Sequence, residues 1–283
     1  MAGKIEKIGF PGAQGQMLAA RLHRPDDQIT HAAIFAHCFT CSKDVSAAAR
    51  ISSMLAAHGL AVLRFDFTGL GDSEGEFANT NFTSNIHDLE RAAEWLRANG
   101  LVPSLLIGHS LGGTAVLAAA TRIGEVRAVV TIGAPGDPAH IRHWFAHAED
   151  EIHDSGEAEV TIAGRTFRVR EQLLDDLEKH PLTDIIRGMD KALLIFHSPD
   201  DTVVEIRHAR AIYEAARHPK SFISLAGADH MLSRRADADY AASVIAAWVD
   251  RYLECGNRGS SSNCGVLEPG PGKECCGGLP PQH

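Results

Sequence analysis

Short apolar runs alternate along most of this chain with longer segments whose apolar residues recur at helical spacing. The runs predict strands at residues 4–10, 17–23, 32–36, 61–65, 105–107, 128–132, 192–197 and 221–225. The longer segments predict helices at residues 46–58, 85–99, 114–120, 206–217 and 236–253. The first two strands should form a hairpin. Because helices separate most of the other strands, the pattern predicts an α/β fold with a mostly parallel sheet and helices on both faces.

Two segments depart from this alternation. Residues 135–190, approximately, separate two strands by more chain than one helix needs, and they contain a helical stretch from Ala139 and a hairpin over residues 158–169. We expect this insertion to form a small cap that is rich in charge. Residues 255–283 are dominated by Gly, Ser, Pro and Cys. Such a composition cannot repay the entropy of ordering, so it predicts a disordered tail after a folded domain of residues 1–254.

Length and charge narrow the class of protein. A chain of 283 residues suffices for one sizeable core and one domain. A formal net charge of −9, with no basic cluster, disfavours nucleic acid or an anionic membrane as a partner. The N-terminus lacks the apolar core of a signal peptide, and no apolar run is long enough to span a membrane. We therefore expect a cytoplasmic protein that acts on a small molecule, with six free thiols and an oligomeric state left open.

The most informative motif is G-x-S-x-G at residues 108–112, between an apolar strand and a helix. Glycine at both ends of the motif removes the Cβ atoms that would clash in such a tight turn. The turn presents the hydroxyl of Ser110 at a helix N-terminus, where the dipole favours a developing negative charge. A lone motif of this kind also occurs by chance, so its weight depends on the strand–turn–helix context and on partners downstream.

An acid and a histidine follow the serine in chain order. Asp201 follows one predicted strand and His230 follows the next. A histidine takes the proton of a serine hydroxyl, and a carboxylate fixes the tautomer of that histidine. The predicted catalytic residues are therefore Ser110, Asp201 and His230. Asp200 in the same turn and Asp137 after the preceding strand are alternative acids, and aspartates also occur in such turns simply as turn formers.

Two backbone N–H groups are predicted to form an oxyanion hole. One belongs to Leu111, next to the serine, and the other to Phe39, in the loop of residues 37–42 after the third strand. The predicted substrate-binding side chains are His37, His109 and Trp144.

Several stretches together resemble one known family. Residues 37–44, 64–75, 78–82 and 108–113 resemble the hydrolase half of bacterial α/β-hydrolase/OsmC fusion proteins, and the resemblance covers roughly residues 1–254. It implies the α/β-hydrolase fold and an esterase-like enzyme whose triad maps onto the three residues named above. The chain stops where an OsmC domain would begin, so the hydroperoxide chemistry of that domain is not carried over. The short cap also looks like that of small-ester and cinnamoyl esterases, whose loop is typically His-Gly-Phe, whereas Cys38 replaces the glycine here.

Two further clusters are weaker candidates. Cys38 and Cys41 have a formally redox-active spacing but lack a thioredoxin-like βαβ setting. His140, His143 and His147 recur at helical spacing and would share one face of a helix, yet no carboxylate or cysteine ligand accompanies them. No metal and no cofactor are predicted.

The sequence thus predicts a carboxylic ester hydrolase that acts on short-acyl or aromatic esters through an acyl-enzyme intermediate. A thioesterase or an amidase would use the same triad, so the leaving atom is open. The alternative from another class is a non-catalytic or thiol-redox accessory module built on the cysteine pair. An intact triad argues against that alternative.

Overall fold

A computed structural model describes residues 4–26, 31–39, 41–162 and 164–253. Its strands are β1 (Lys4–Pro11), β2 (Met17–Arg24), β3 (His31–Ala36), β4 (Ala61–Phe65), β5 (Val102–His109), β6 (Ala128–Ile132), β7 (Glu157–Ile162), β8 (Arg165–Arg170), β9 (Ala192–His197) and β10 (Lys220–Ser224). Eight of them form one sheet in the order β1-β2-β4-β3-β5-β6-β9-β10. β2 runs antiparallel to both its neighbours, and the other neighbouring pairs are parallel. The predicted mostly parallel sheet is therefore confirmed.

Each of the five predicted helices is present, although its ends differ by a few residues, and three more helices lie in the insertion between β6 and β9. They are α1 (Ser46–Ala57), α2 (Phe82–Ala98), α3 (Leu111–Ala119), α4 (Glu149–Ser155), α5 (Glu171–Leu177), α6 (Leu182–Gly188), α7 (Arg207–Ala215) and α8 (Arg235–Leu253). α2 begins three residues before its predicted start. Asn81 caps it, because the Asn81 side chain accepts from Ser84 N at 2.8 Å and the Ser84 hydroxyl accepts from Asn81 N at 3.0 Å.

Two apolar layers cover the two faces of the sheet. Along β3, Ala32 and Ile34 belong to one buried cluster, whereas Ala33 and Phe35 belong to the other. The first cluster contains the apolar faces of α2 and α3, and the second contains those of α1 and α8. This alternation buries both faces of the strands, which explains why they are almost continuously apolar.

The insertion between β6 and β9 is more helical than predicted. The stretch that starts near Ala139 is a 3-10 helix, Pro138–Trp144, rather than an α-helix, and α4, β7, β8, α5 and α6 follow it. The β7–β8 hairpin was predicted, but α5 and α6 were not. The Asp176 carboxylate ties this cap to the start of α2 by accepting from the backbone and the hydroxyl of Thr83, each at 2.7 Å.

Some predictions concern parts of the chain outside the described residues. The tail of residues 255–283 lies there, with the cysteines at positions 255, 264, 275 and 276. Among the helices that the structure does describe, none has both the length and the apolar character needed to cross a membrane.

Candidate active site

Ser110 occupies a strained turn between β5 and α3. Its backbone angles are φ 53° and ψ −129°, a combination that non-glycine residues rarely adopt and that is found mainly where function requires it. The flanking glycines make the turn possible. A Cβ at position 108 would lie 2.3 Å from the Gly112 carbonyl oxygen, and one at position 112 would lie 2.3 Å from the His37 carbonyl oxygen. The serine thus lies directly beside the 37–42 loop.

Asp201 and His230 form a direct hydrogen bond. The Asp201 Oδ2 atom lies 2.7 Å from His230 Nδ1, and Asp201 Oδ1 accepts from the N–H groups of Val203 and Val204 at 2.9 Å each. Burial alone would raise the pKa of Asp201, but the hydrogen bond from His230 and those from the two backbone N–H groups hold it below its ordinary value. The carboxylate is therefore charged near neutral pH and fixes a proton on Nδ1 of His230, which leaves Nε2 free to act as a base.

The two alternative acids have other partners. Asp200 Oδ2 accepts from Gly227 N at 2.8 Å and so fixes the segment that leads to His230. Asp137 Oδ1 accepts from Ala139 N at 2.8 Å and caps the 3-10 helix. Of the three candidate carboxylates, Asp201 is the one that contacts the histidine.

Ser110 and His230 open into one cavity of about 420 Å³, here called the Ser110 cavity. Its other walls are Cys38, Phe39, Cys41, Trp144, Thr161, Ile162, Val203 and Met231. Trp144 stacks on Phe39 with ring centroids 5.7 Å apart. Trp144, Thr161 and Ile162 belong to the insertion between β6 and β9, so this insertion forms part of the wall of the cavity.

His37 orients the peptide bond that joins Cys38 and Phe39. Its Nδ1 lies 2.7 Å from the Cys38 carbonyl oxygen, and its Nε2 accepts from Phe67 N at 3.3 Å, so the ring proton is on Nδ1. Burial lowers the pKa of His37 and keeps the ring neutral. In a trans peptide the C=O and N–H point in opposite directions. Holding the Cys38 carbonyl on the His37 side therefore turns the Phe39 N–H to the other side.

A buried ion pair fixes the far end of the same loop. Lys43 Nζ donates to Asp66 Oδ2 at 2.7 Å, and Lys43 N donates to the other oxygen of that carboxylate. Lys43 is 4% exposed and Asp66 0%. Lys43 also donates to Asp72 at 2.8 Å, so the charge is fully paired.

His37 and His109 lie outside the walls of the Ser110 cavity, although both were predicted to bind substrate. His109 Nε2 lies 2.7 Å from the His230 carbonyl oxygen, and the two rings are 4.9 Å apart. Burial, together with the charge of His230, lowers the pKa of His109 to about 3. A neutral His109 thus donates to the carbonyl oxygen of His230 and holds the backbone of His230 in place. Both residues support the site rather than line it. His37 directly follows β3 and His109 is the last residue of β5, and alternate side chains along a strand point to opposite faces of the sheet.

The expectation of free thiols is wrong for Cys38 and Cys41, which form a disulfide. Cys41 N donates to the Cys38 carbonyl oxygen at 3.2 Å, which closes a turn and brings the two Cα atoms within 5.4 Å, a normal distance for a disulfide. The spacing alone did not reveal the turn, and the expected reducing compartment argued against the bond.

The three spaced histidines do not share one helical face. The 3-10 helix ends at Trp144, so His147 lies beyond it. The His140 ring instead lies 4.9 Å from that of His143 and 4.5 Å from that of His208. Within the described ranges, no group of His, Cys, Asp and Glu side chains could hold a metal ion.

Comparisons with known proteins show the family to which the fold belongs. Residues 33–243 match the model of the alpha/beta hydrolase family. The crystal structure of the esterase domain of a Rhodothermus marinus protein is 46% identical, covers 88% of this chain and 99% of its own, and has a TM-score of 0.73. Human protein ABHD12B is 26% identical over 60% of this chain, and mouse mitochondrial palmitoyl-protein thioesterase ABHD10 is 24% identical over 68%. The chain spans 45% of the former relative and 66% of the latter.

Proposed function

The chain belongs to the alpha/beta hydrolase family, and we propose that it is a serine esterase that cleaves carboxylic esters with short or aromatic acyl groups. One arrangement carries this proposal. Ser110 lies in a strained turn, and His230 is hydrogen-bonded to Asp201 at 2.7 Å. The serine and the histidine line the same cavity. The similarity to an esterase domain at 46% identity supports the ester as substrate class.

In the first step, the Ser110 hydroxyl attacks the acyl carbon. His230 Nε2 takes the hydroxyl proton and then gives it to the leaving alcohol, and the Asp201 carboxylate stabilises the imidazolium that forms between these events. The hydrogen bond from His109 to the His230 backbone keeps the ring in position. A water molecule then repeats the sequence on the acyl-enzyme and releases the acid.

The developing oxyanion needs donors that are already in place. Leu111 N–H is available at the start of α3, where the helix dipole favours negative charge. Phe39 N–H is our second donor, since His37 turns that peptide away from itself and the loop backbone packs on Gly112. Removing one such donor typically costs about 10²–10³-fold in turnover.

The cavity favours a small acyl group. Its volume is about 420 Å³, and Phe39, Trp144 and Ile162 provide apolar and aromatic walls for a flat or short chain. Phe39 already stacks on Trp144 of the cap, so a long acyl chain that extended between these rings would have to displace packed side chains.

A thioesterase is the second candidate. The same triad cleaves a thioester, and one relative, at 24% identity, carries that activity in its name. The alcohol or thiol leaves from the same position in both reactions, so kinetics rather than geometry separates them.

A graded substrate panel tests the proposal. We expect kcat/KM to peak at acetyl, butyryl or aromatic p-nitrophenyl esters and to fall for acyl chains longer than about eight carbons, since the cavity is at the small end of ligand sites. Matched acyl thioesters give the second arm, and a variant with Ser110→Ala is the blank. A maximum at long acyl chains, or a preference for thioesters at every length, would replace the proposed substrate.

A further inference from the structure

A disulfide forms part of the wall of the Ser110 cavity. Cys38 and Cys41 both line it, alongside Ser110 and His230. Cys38 is 5% exposed, whereas Cys41 is half-buried. A ligand that enters to reach the serine therefore passes a disulfide, and Cys41 is the more exposed of its two residues.

The same disulfide closes the turn that contains Phe39. Cys38 provides the carbonyl oxygen that accepts from both Cys41 N and His37 Nδ1. That carbonyl belongs to the peptide whose N–H is the Phe39 donor. Two hydrogen bonds and one covalent link thus fix one peptide plane, and only the covalent link can be cut by a small molecule.

We propose that the disulfide of Cys38 and Cys41 is a thiol-exchange site for low-molecular-weight thiols, and that the oxidised form is the active one. The effect on turnover rests on the proposed esterase function, but the exchange itself does not. The site would couple hydrolysis in the Ser110 cavity to the thiol pool around the protein.

The exchange balances without any other reactant. A thiolate attacks Cys41 Sγ and forms a mixed disulfide there, and the electron pair of the broken S–S bond leaves on Cys38 Sγ, which takes a proton from water. A second thiolate then attacks the small-molecule sulfur of the mixed disulfide. This releases the small disulfide and leaves both cysteines as thiols, so two thiols are oxidised and one protein disulfide is reduced. Attack on Cys41 is favoured because Cys38 is only 5% exposed, whereas Cys41 is half-buried.

Exchange would lower turnover in two distinguishable ways. A thiol attached to Cys41 occupies part of a cavity of about 420 Å³ and excludes substrate. Full reduction leaves the cavity empty but removes the covalent closure of the turn, so the Phe39 N–H is held by hydrogen bonds alone. We expect the reduced form to lose at least about tenfold in kcat. The upper bound is the loss of one whole oxyanion donor, which costs about 10²–10³-fold.

The test follows the sulfur atoms and the turnover separately. Purified full-length protein is incubated with reduced glutathione, its free thiols are blocked with iodoacetamide, and its peptides are mapped by mass spectrometry. Parallel samples are freed of glutathione by gel filtration and assayed with p-nitrophenyl acetate. A phosphine reductant gives the dithiol without an adduct, and oxidised glutathione should restore the disulfide and the rate. The variant with Cys275→Ser and Cys276→Ser is the matched control and should respond like the wild type.

The expected result is a glutathione adduct on Cys41 together with alkylated Cys38. Phosphine treatment should lower kcat without changing KM, and reoxidation should restore kcat. The double variant with Cys38→Ser and Cys41→Ser should show the reduced rate and no response to thiols. An adduct on Cys38, a pair that stays unalkylated, or a reduced enzyme with full kcat would each overturn the proposal. If neither redox form hydrolyses esters, the proposed function fails, while the peptide map still decides whether the exchange site exists.

Discussion

The hydrogen bonds of His37 allow its two ring nitrogens to be tested separately. Nδ1 donates to the Cys38 carbonyl and orients the Phe39 N–H, whereas Nε2 accepts from Phe67 N and stabilises the adjoining strand end. An asparagine amide reaches the position of Nδ1, and a glutamine amide reaches that of Nε2. His37→Asn therefore keeps the donor to Cys38, and His37→Gln keeps the acceptor for Phe67.

His37→Gln should lower kcat more than His37→Asn does, whereas His37→Asn should lower the free energy of unfolding more than His37→Gln does. A hydrogen bond of this kind contributes about 1 kcal/mol net, and 1.36 kcal/mol corresponds to a tenfold change in rate, so His37→Gln should lower kcat by roughly fivefold. Its KM should change little, because the donor acts on the transition state. His37→Asn should keep kcat within about threefold of wild type but leave the buried Phe67 N–H without a partner, at a cost of about 1–3 kcal/mol in the free energy of unfolding.

Steady-state kinetics with p-nitrophenyl acetate and urea denaturation of both variants measure these effects. The wild-type protein, with both hydrogen bonds, and His37→Leu, with neither, give the upper and lower reference values in both assays. Equal kcat values for the asparagine and glutamine variants would refute the reasoning, as would a His37→Gln enzyme with the wild-type kcat.

Three other changes test separate parts of the site. Asp201→Asn should lower kcat by about 10⁴-fold and Asp200→Asn by less than tenfold, because only Asp201 contacts the histidine; comparable losses would misplace the acid. Gly112→Ala should prevent folding or separate the 37–42 loop from the serine, since its Cβ would lie 2.3 Å from a carbonyl oxygen, whereas Gly124→Ala meets open space and should keep the wild-type melting temperature. Burial lowers the pKa of His109 to about 3, so its stabilisation is complete above its unfolded pKa of about 6.5 and is lost as the pH falls toward 3, at most about 1.4 kcal/mol per pH unit. Denaturation at pH 7 and pH 5 should show this loss in the wild type and less of it in His109→Gln; an equal pH dependence would contradict the assignment.

Periodicity predicted the sheet well and the cap poorly. The strands of the sheet are buried on both faces, so their apolar runs mark them clearly. The cap helices α5 and α6 bury apolar side chains such as Leu177 and Ile186 in the core, but each is only seven residues long. Two turns of helix are too short to give a clear periodic signal. The start of α2 was missed because Asn81 and Ser84 act as a capping pair, and the apolar pattern was read only from residue 85 onward.

The site shows a similar division. The G-x-S-x-G motif and the chain order brought Ser110, Asp201 and His230 to attention, since strand ends fix where such side chains lie. The roles of His37 and His109 could not be predicted, because a hydrogen bond to a neighbouring carbonyl depends on how the loop turns. The disulfide was missed for the same reason. The resemblance to the OsmC fusion proteins, beyond the hydrolase part, stays a prediction.

The central claim is that Ser110 is a nucleophile activated by His230. It is tested most directly by treating the full-length protein with a fluorophosphonate, mapping the adduct, and comparing ester turnover of the wild type with that of Ser110→Ala. The account predicts one adduct, on Ser110, and a loss of about 10⁴-fold or more in kcat with an unchanged melting temperature. Labelling of another residue, or a Ser110→Ala protein that keeps more than a tenth of the wild-type rate, would contradict it.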